Sequence, residues 1–196
     1  MKYDLILAGV GGQGILSIAA AIGWAALDNG LFIKQSEVHG MSQRGGAVQS
    51  NLRISSKEIA SDLIAEGCAD LILSVEPMES LRYLPYLSKT GWLVTNSKPF
   101  VNITNYPDLE EVYAEIRKIE NHILIDAEKI AREVGNFRAS NIVMLGAASP
   151  FIDIQFENLE KGIKTIFARK GEEIVNLNLQ ALHAGRKFSM ENRNNC

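Results

Sequence analysis

With 196 residues, 46% of them hydrophobic, the chain can bury a core of its own without metal or disulfide staples. Its net charge of −3, with basic residues scattered rather than striped, argues against a nucleic-acid or anionic-membrane surface. Only Cys68 and Cys196 occur, too few for the four thiolates of an iron–sulfur cluster or a structural zinc site.

The chain opens with the apolar run Leu5-Ile6-Leu7-Ala8, a strand, and continues from Ile15 to Asp28 with Ile15, Leu16, Ala19, Gly23, Trp24 and Leu27 at helical spacing. Between them lies Gly9-Val10-Gly11-Gly12-Gln13-Gly14, a G-x-G-x-x-G turn joining strand to helix. Glycine there permits a tight turn and close approach of backbone N–H groups to an anion, and the helix N-terminus carries partial positive charge. Gly11, Gly12, Gln13 and Gly14 are therefore candidate binders of phosphate or pyrophosphate. The alternative is that the glycines only let the helix pack on the sheet.

A dinucleotide site also carries an acid at the end of the second strand, about 20 residues on. Here Leu31-Phe32-Ile33 leads into Lys34-Gln35-Ser36, with Glu37 one or two residues too late, so a bound dinucleotide is disfavoured. Residues 36–46 show neither helical nor strand period and combine three glycines with an acid, an imidazole, an amide and a guanidinium. They read as a functional loop with Glu37, His39, Gln43 and Arg44 as candidate binding residues, against the bland reading of a solvated connection.

Val48, Ser50, Leu52 and Ile54 alternate with Gln49, Asn51 and Arg53, a strand with one wetter face. The short loop before it suits an antiparallel return, and residues 58–61 read as a further hairpin partner. Residues 69–75 form a buried strand, preceded by Cys68, which is expected to be a small buried residue. Pro77 starts a helix running to about Leu87, and residues 91–95 form another strand ending at Asn96. Parallel strands deliver their carboxyl ends to one edge, so the glycine turn, the 36–46 loop, Glu76 and Asn96 are expected to share a crevice there. Helix capping for Glu76 and a turn role for Asn96 are the plainer readings.

Residues 97–107 read as an irregular excursion, 108–120 as an amphipathic helix, and 122–125 as a last strand followed by a helix capped by Asp126. His122, alone beside an aliphatic run, reads as structural. The final third is helical. Residues 140–148 are small and apolar, suited to pressing on another surface such as a subunit, and helices over 156–167 and 172–187 follow. The fold class is thus α/β, a Rossmann-like three-layer sandwich with a mainly parallel, mixed sheet and a helical C-terminal third. One domain is expected over 1–188, with a disordered tail over 189–196. No apolar run reaches membrane-spanning length, and a reducing, cytoplasmic location is expected.

The turn Gly9-Val10-Gly11-Gly12-Gln13-Gly14 and the segment from Ser36 to Gly46 carry a family resemblance, as do Ala69-Asp70-Leu71-Ile72-Leu73 with Glu76-Pro77, and Asn141-Ile142-Val143-Met144-Leu145-Gly146. Together they resemble the gamma-type domain of 2-oxoacid:ferredoxin oxidoreductases over nearly the whole chain. The resemblance, strongest to members that act on indolepyruvate and other aryl pyruvates, implies an oxidative decarboxylation. A 2-oxoacid, coenzyme A and oxidised ferredoxin give an acyl-CoA, carbon dioxide and reduced ferredoxin. Thiamine diphosphate, Mg and the iron–sulfur clusters are then expected in a large partner subunit, so that this chain is inactive alone. The sequence agrees, since it has no G-D-G segment followed by Asn-Asn; the pair Asn194-Asn195 lacks that context. The resemblance also implies coenzyme A contacts, carried over to Gly11, Gly12, Gln13 and Gly14 and to the 36–46 loop. Pyruvate, 2-oxoglutarate and branched-chain enzymes share the domain, so the substrate stays open. A self-sufficient nicotinamide enzyme and a purely structural partner subunit are the competing classes.

Overall fold

The computed structural model describes residues 1–40, 45–101 and 103–193. Six strands form one sheet in the order β2-β3-β1-β4-β5-β6: β1 (Lys2–Val10), β2 (Phe32–His39), β3 (Ala47–Ser55), β4 (Ala69–Ser74), β5 (Leu87–Asn96) and β6 (His122–Ile125). β1, β4, β5 and β6 are parallel neighbours, while β3 runs antiparallel to both β1 and β2. The antiparallel return expected for β3 is present, and the sheet is mixed.

Period-two alternation divides the core between two faces. Leu5 and Leu7 of β1, Leu71 and Leu73 of β4, Val94 of β5, and Ile123 and Ile125 of β6 join one cluster, with α1 (Ile15–Asp28), α4 (Ala127–Glu133) and α5 (Ser140–Ala148). Ile6, Ala8, Ile72 and Leu93 point the other way, onto α2 (Pro77–Arg82) and α3 (Leu109–Arg117). The C-terminal helices α6 (Phe156–Phe167) and α7 (Glu172–Asn192) cover α1 and α5 from outside. Strands buried on both faces explain why β1 and β4 read as continuous apolar runs.

The small residues of α5 meet α7 of the same chain, not another subunit. A Cβ on Gly146 would lie 2.0 Å from the carbonyl oxygen of Leu182, and one on Gly185 would lie 2.0 Å from that of Val143. The two backbones therefore touch at their crossing. α7 also runs five residues past the expected end, because Ser189 is fully buried and its Oγ donates to the Ala147 carbonyl at 2.8 Å. Residues 189–192 thus belong to the helix and not to a tail.

Four other expectations are corrected. β2 continues through Ser36, Glu37, Val38 and His39, which pair with Asn51, Ser50, Gln49 and Val48. It is an edge strand, so its ladder to β3 needs no apolar alternation. Residues 58–61 form no strand; their segment lies across the polar face of the β2–β3 hairpin. Arg53 Nη1 donates to the carbonyls of Ser61 and Leu63, Lys34 Nζ donates to that of Ala60, and Asn51 Oδ1 accepts from Ile64 N. Cys68 is exposed, and Ile59 and Ile64 are the side chains this segment buries. Finally, α2 stops at Arg82, and Pro85 falls in a 3-10 turn, Leu84–Tyr86. Proline lacks the N–H that a continuing helix would need.

Candidate functional site

β2 and β1 both run antiparallel to β3, so β1, β2, β4, β5 and β6 all deliver their carboxyl ends to one edge of the sheet. Two separate cavities open there instead of one crevice. The first, about 320 Å³, is lined by Val10, the glycine turn from Gly11 to Gly14, Ile15, Leu16, Glu37, His39 and Val48. The second, about 180 Å³, is lined by Gln13, Val75, Asn96, Phe100, Glu128, Ser140, Asn141 and Met144. Gln13 stands between them.

The glycine turn is braced on every side. Gly11 N donates to the Gly46 carbonyl at 2.8 Å, and so is engaged with the end of the β2–β3 connection rather than open to an anion. Gln13 Oε1 accepts from Val10 N at 2.7 Å, and its Nε2 donates to the Val75 carbonyl at 3.3 Å. Both ends of this amide are tied to backbone, so Gln13 shapes the turn. Gly14, at φ +79°, is the N-terminal flank of α1, and a Cβ there would lie 2.5 Å from Asn141 Nδ2. Asn141 Nδ2 donates to the Gly14 carbonyl at 3.1 Å, fixing the start of α1 against α5.

What remains is a helix end without a cap. No side chain caps α1, and among the described residues the backbone N–H groups of Gly12, Gly14, Ile15 and Leu16 have no acceptor. Gly12 has φ +100° and nothing within 4 Å of where a Cβ would stand. The first turn of α1 holds no acidic residue. Such an end attracts an anion through its dipole and its unpaired donors.

Opposite it stand Glu37 and His39 from the end of β2. His39 Nε2 lies 2.7 Å from Glu37 Oε1, while Glu37 Oε2 is buried without a partner among the described residues. An acid does stand near the end of β2. Lys34 lies mid-strand and reaches away to Ala60, so the residue that β2 brings to the cavity is an acid, Glu37. Yet β3 is interposed between β1 and β2. Two strand spacings, roughly 10 Å, then separate the ends of β1 and β2, where a dinucleotide fold has one.

Asn96, only 2% exposed, is fully engaged in the second cavity. Its Nδ2 lies 3.2 and 3.1 Å from the two carboxylate oxygens of Glu128 and 3.3 Å from the Val75 carbonyl, and its Oδ1 accepts from Ala127 N. It joins β5 to α4 and does not meet Glu37 or His39. Glu76 caps α2 through Glu79 N at 2.8 Å and accepts from the Tyr106 hydroxyl at 2.5 Å. Burial and then the Glu76 carboxylate push that hydroxyl well above the ordinary tyrosine range. Capping is therefore the role of Glu76 that its contacts express. Gln43 and Arg44 lie outside the described residues.

Four lining residues were not among the candidates: Val10, Ile15, Leu16 and Val48. They are apolar, and strand register brings the last of them to the turn, with Val48 opposite both Gly9 of β1 and His39 of β2. Asn141 was visible in a quoted motif without any sign of its role. Among the described residues no group of three or more His, Cys, Asp or Glu could hold a metal ion.

The family model described as pyruvate ferredoxin/flavodoxin oxidoreductase matches residues 4–188. The chain is similar to the indolepyruvate oxidoreductase subunit IorB of Pyrococcus horikoshii, with 38% identity over 97% of each chain. It is likewise similar to the IorB subunit of Thermococcus kodakarensis, with 36% identity over 97% of each chain. Its fold matches the 2-oxoglutarate:ferredoxin oxidoreductase of Magnetococcus marinus, a structure with 2-oxoglutarate, coenzyme A and succinyl-CoA bound, at a TM-score of 0.76 and 23% identity. That match covers 97% of this chain and 31% of the Magnetococcus chain.

Proposed function

The chain belongs to the pyruvate ferredoxin/flavodoxin oxidoreductase family, and from that premise we propose that it is the non-cluster subunit of an indolepyruvate:ferredoxin oxidoreductase. In this reading the assembled enzyme converts indolepyruvate or another aryl pyruvate, coenzyme A and oxidised ferredoxin to the aryl acetyl-CoA, carbon dioxide and reduced ferredoxin. The aryl substrate follows from the two relatives, which are similar along their whole length and share one named activity. A location in the cytoplasm accords with a free, exposed Cys68, and among the described residues no helix is long and apolar enough to cross a membrane.

Thiamine diphosphate and the clusters supply the decarboxylation and the electron path. The residues of this chain do not fit them: two cysteines cannot ligate a cluster, and no described metal-binding group is present. They are assigned to a large partner subunit. The contribution of this chain is to hold coenzyme A. The observation that carries this is the uncapped end of α1, where Gly12, Gly14, Ile15 and Leu16, whose N–H groups have no acceptor among the described residues, line a cavity of about 320 Å³. That arrangement suits the pyrophosphate of coenzyme A.

The test is to co-produce the chain with its large partner and measure ferredoxin reduction with indolepyruvate, pyruvate and 2-oxoglutarate at saturating coenzyme A. Indolepyruvate should give the highest kcat/KM, with no turnover by either subunit alone. A higher kcat/KM with either of the other acids would overturn the substrate assignment, and full turnover without this chain would overturn its role.

A further inference from the structure

Glu37 is the feature of the first cavity that packing does not explain. Its Oε1 is paired with His39, its side chain is only 11% exposed, and its Oε2 is buried with no hydrogen-bond partner among the described residues. A buried acceptor left unpaired is costly, and native structures keep few of them without a reason. The carboxylate also lines the same cavity as the uncapped end of α1. A bare phosphate there would meet like charge from Glu37 as well as attraction from the helix. The ligand that satisfies both walls is an anion that brings a hydrogen-bond donor beside its phosphate.

We infer that Glu37 is a specificity-determining acceptor, taking through Oε2 a hydrogen bond from a hydroxyl that flanks the pyrophosphate of the ligand. This rests on the placement of coenzyme A in the cavity. Coenzyme A has such a hydroxyl on each side of its pyrophosphate, one on the pantoate carbon and one at ribose C2′. Inorganic pyrophosphate has neither. Glu37 thus selects the whole cofactor over its phosphates. The β2–β3 ladder holds it in place through the pairing of Glu37 with Ser50.

The experiment uses the assembled enzyme, wild type and Glu37→Gln, with inorganic pyrophosphate as a competitor of coenzyme A. The variant should raise KM for coenzyme A about tenfold, the loss expected for one hydrogen bond to a charged group, while pyrophosphate inhibits it as well as or better than the wild type. A second measurement needs no variant. The wild type should lose about tenfold in kcat/KM with one of two analogues, 2′-deoxy-coenzyme A or coenzyme A lacking the pantoate hydroxyl, and the one that suffers identifies the donor. In Glu37→Gln that analogue and coenzyme A should perform alike. Equal losses for coenzyme A and pyrophosphate in the variant, or no discrimination against either analogue by the wild type, would overturn the inference. Pyrophosphate that competes in Glu37→Gln but not in the wild type supports the inference, whereas pyrophosphate that competes in neither removes coenzyme A from this cavity and the inference with it.

Discussion

The two cavities at the carboxyl edge of the sheet share a wall at Gln13 and are built from similar groups, yet they differ in how those groups are paired. In the second, Asn96 is bonded to Glu128, Val75 and Ala127, and Asn141 to Gly14. In the first, among the described residues, a helix end has no side-chain cap and a buried carboxylate oxygen has no donor. A polar group that is fully bonded within the chain contributes to stability and has little left for a ligand. A polar group held in place but left unpaired lowers stability and waits for one. The second cavity therefore serves as a joint of the fold, and the first is the one we propose as the binding site. Substitutions should separate the two: large effects on stability without effects on the cofactor in one, and the reverse in the other.

The largest loss of stability is expected for Asn96→Leu. It deprives the Ala127 N–H and the Val75 carbonyl of a partner and removes the amide from the Glu128 carboxylate. Removing one partner from such a buried network costs about 3 kcal/mol. Urea unfolding of the chain should show that loss, while KM for coenzyme A in whatever enzyme assembles stays unchanged. A KM that rises severalfold would mean that the second cavity takes part in binding after all.

Gly14→Ala should follow at about 2 kcal/mol, part from a Cβ at φ +79° and part from its contact with Asn141. Thermal unfolding of the single variant and of Gly14→Ala with Asn141→Ala separates the two parts. The double variant loses the hydrogen bond from Asn141 but also the clash, so its added loss should be smaller than that of Asn141→Ala alone. Strict additivity would show that the close approach of α5 to the turn is not what requires glycine.

These distinctions mark the limit of what the residues disclose by themselves. The first strand, the turn and the first helix are legible because two periodicities meet at glycines in Leu5 to Asp28. The end of β2 is not. Ser36, Glu37, Val38 and His39 sit on an edge strand, where pairing with β3 rather than burial decides the conformation. The segment after β3 misleads for a related reason, since Arg53, Lys34 and Asn51 hold it by its carbonyls and one N–H, and no pattern in it records that. The candidate site divides along the same line. That Gln13 and Asn96 are polar and lie near a sheet edge is visible in the sequence. Whether backbone groups of the same chain already occupy them depends on neighbours 3 to 62 residues away for Gln13.

Gly12 gives the smallest expected change in stability and the sharpest reading of the first cavity. Among the described residues nothing stands within 4 Å of a Cβ added there, so Gly12→Ala meets no packed neighbour among them. Its cost to the fold is the backbone term alone, since φ +100° is unfavourable for an L side chain, about 1 kcal/mol. Yet Gly12 lines the cavity, together with Ile15 and Leu16, whose N–H groups lack acceptors among the described residues. A methyl group in that space keeps a phosphate oxygen from reaching them. The assembled Gly12→Ala enzyme should therefore show a KM for coenzyme A raised about tenfold, at unchanged KM for the 2-oxoacid, with a melting temperature only a few degrees below wild type. Gly12→Val should enlarge the first effect because its branch extends further into the same space. If both variants assemble and keep the wild-type dependence on coenzyme A, the end of α1 is idle and the contrast between the two cavities has no bearing on binding.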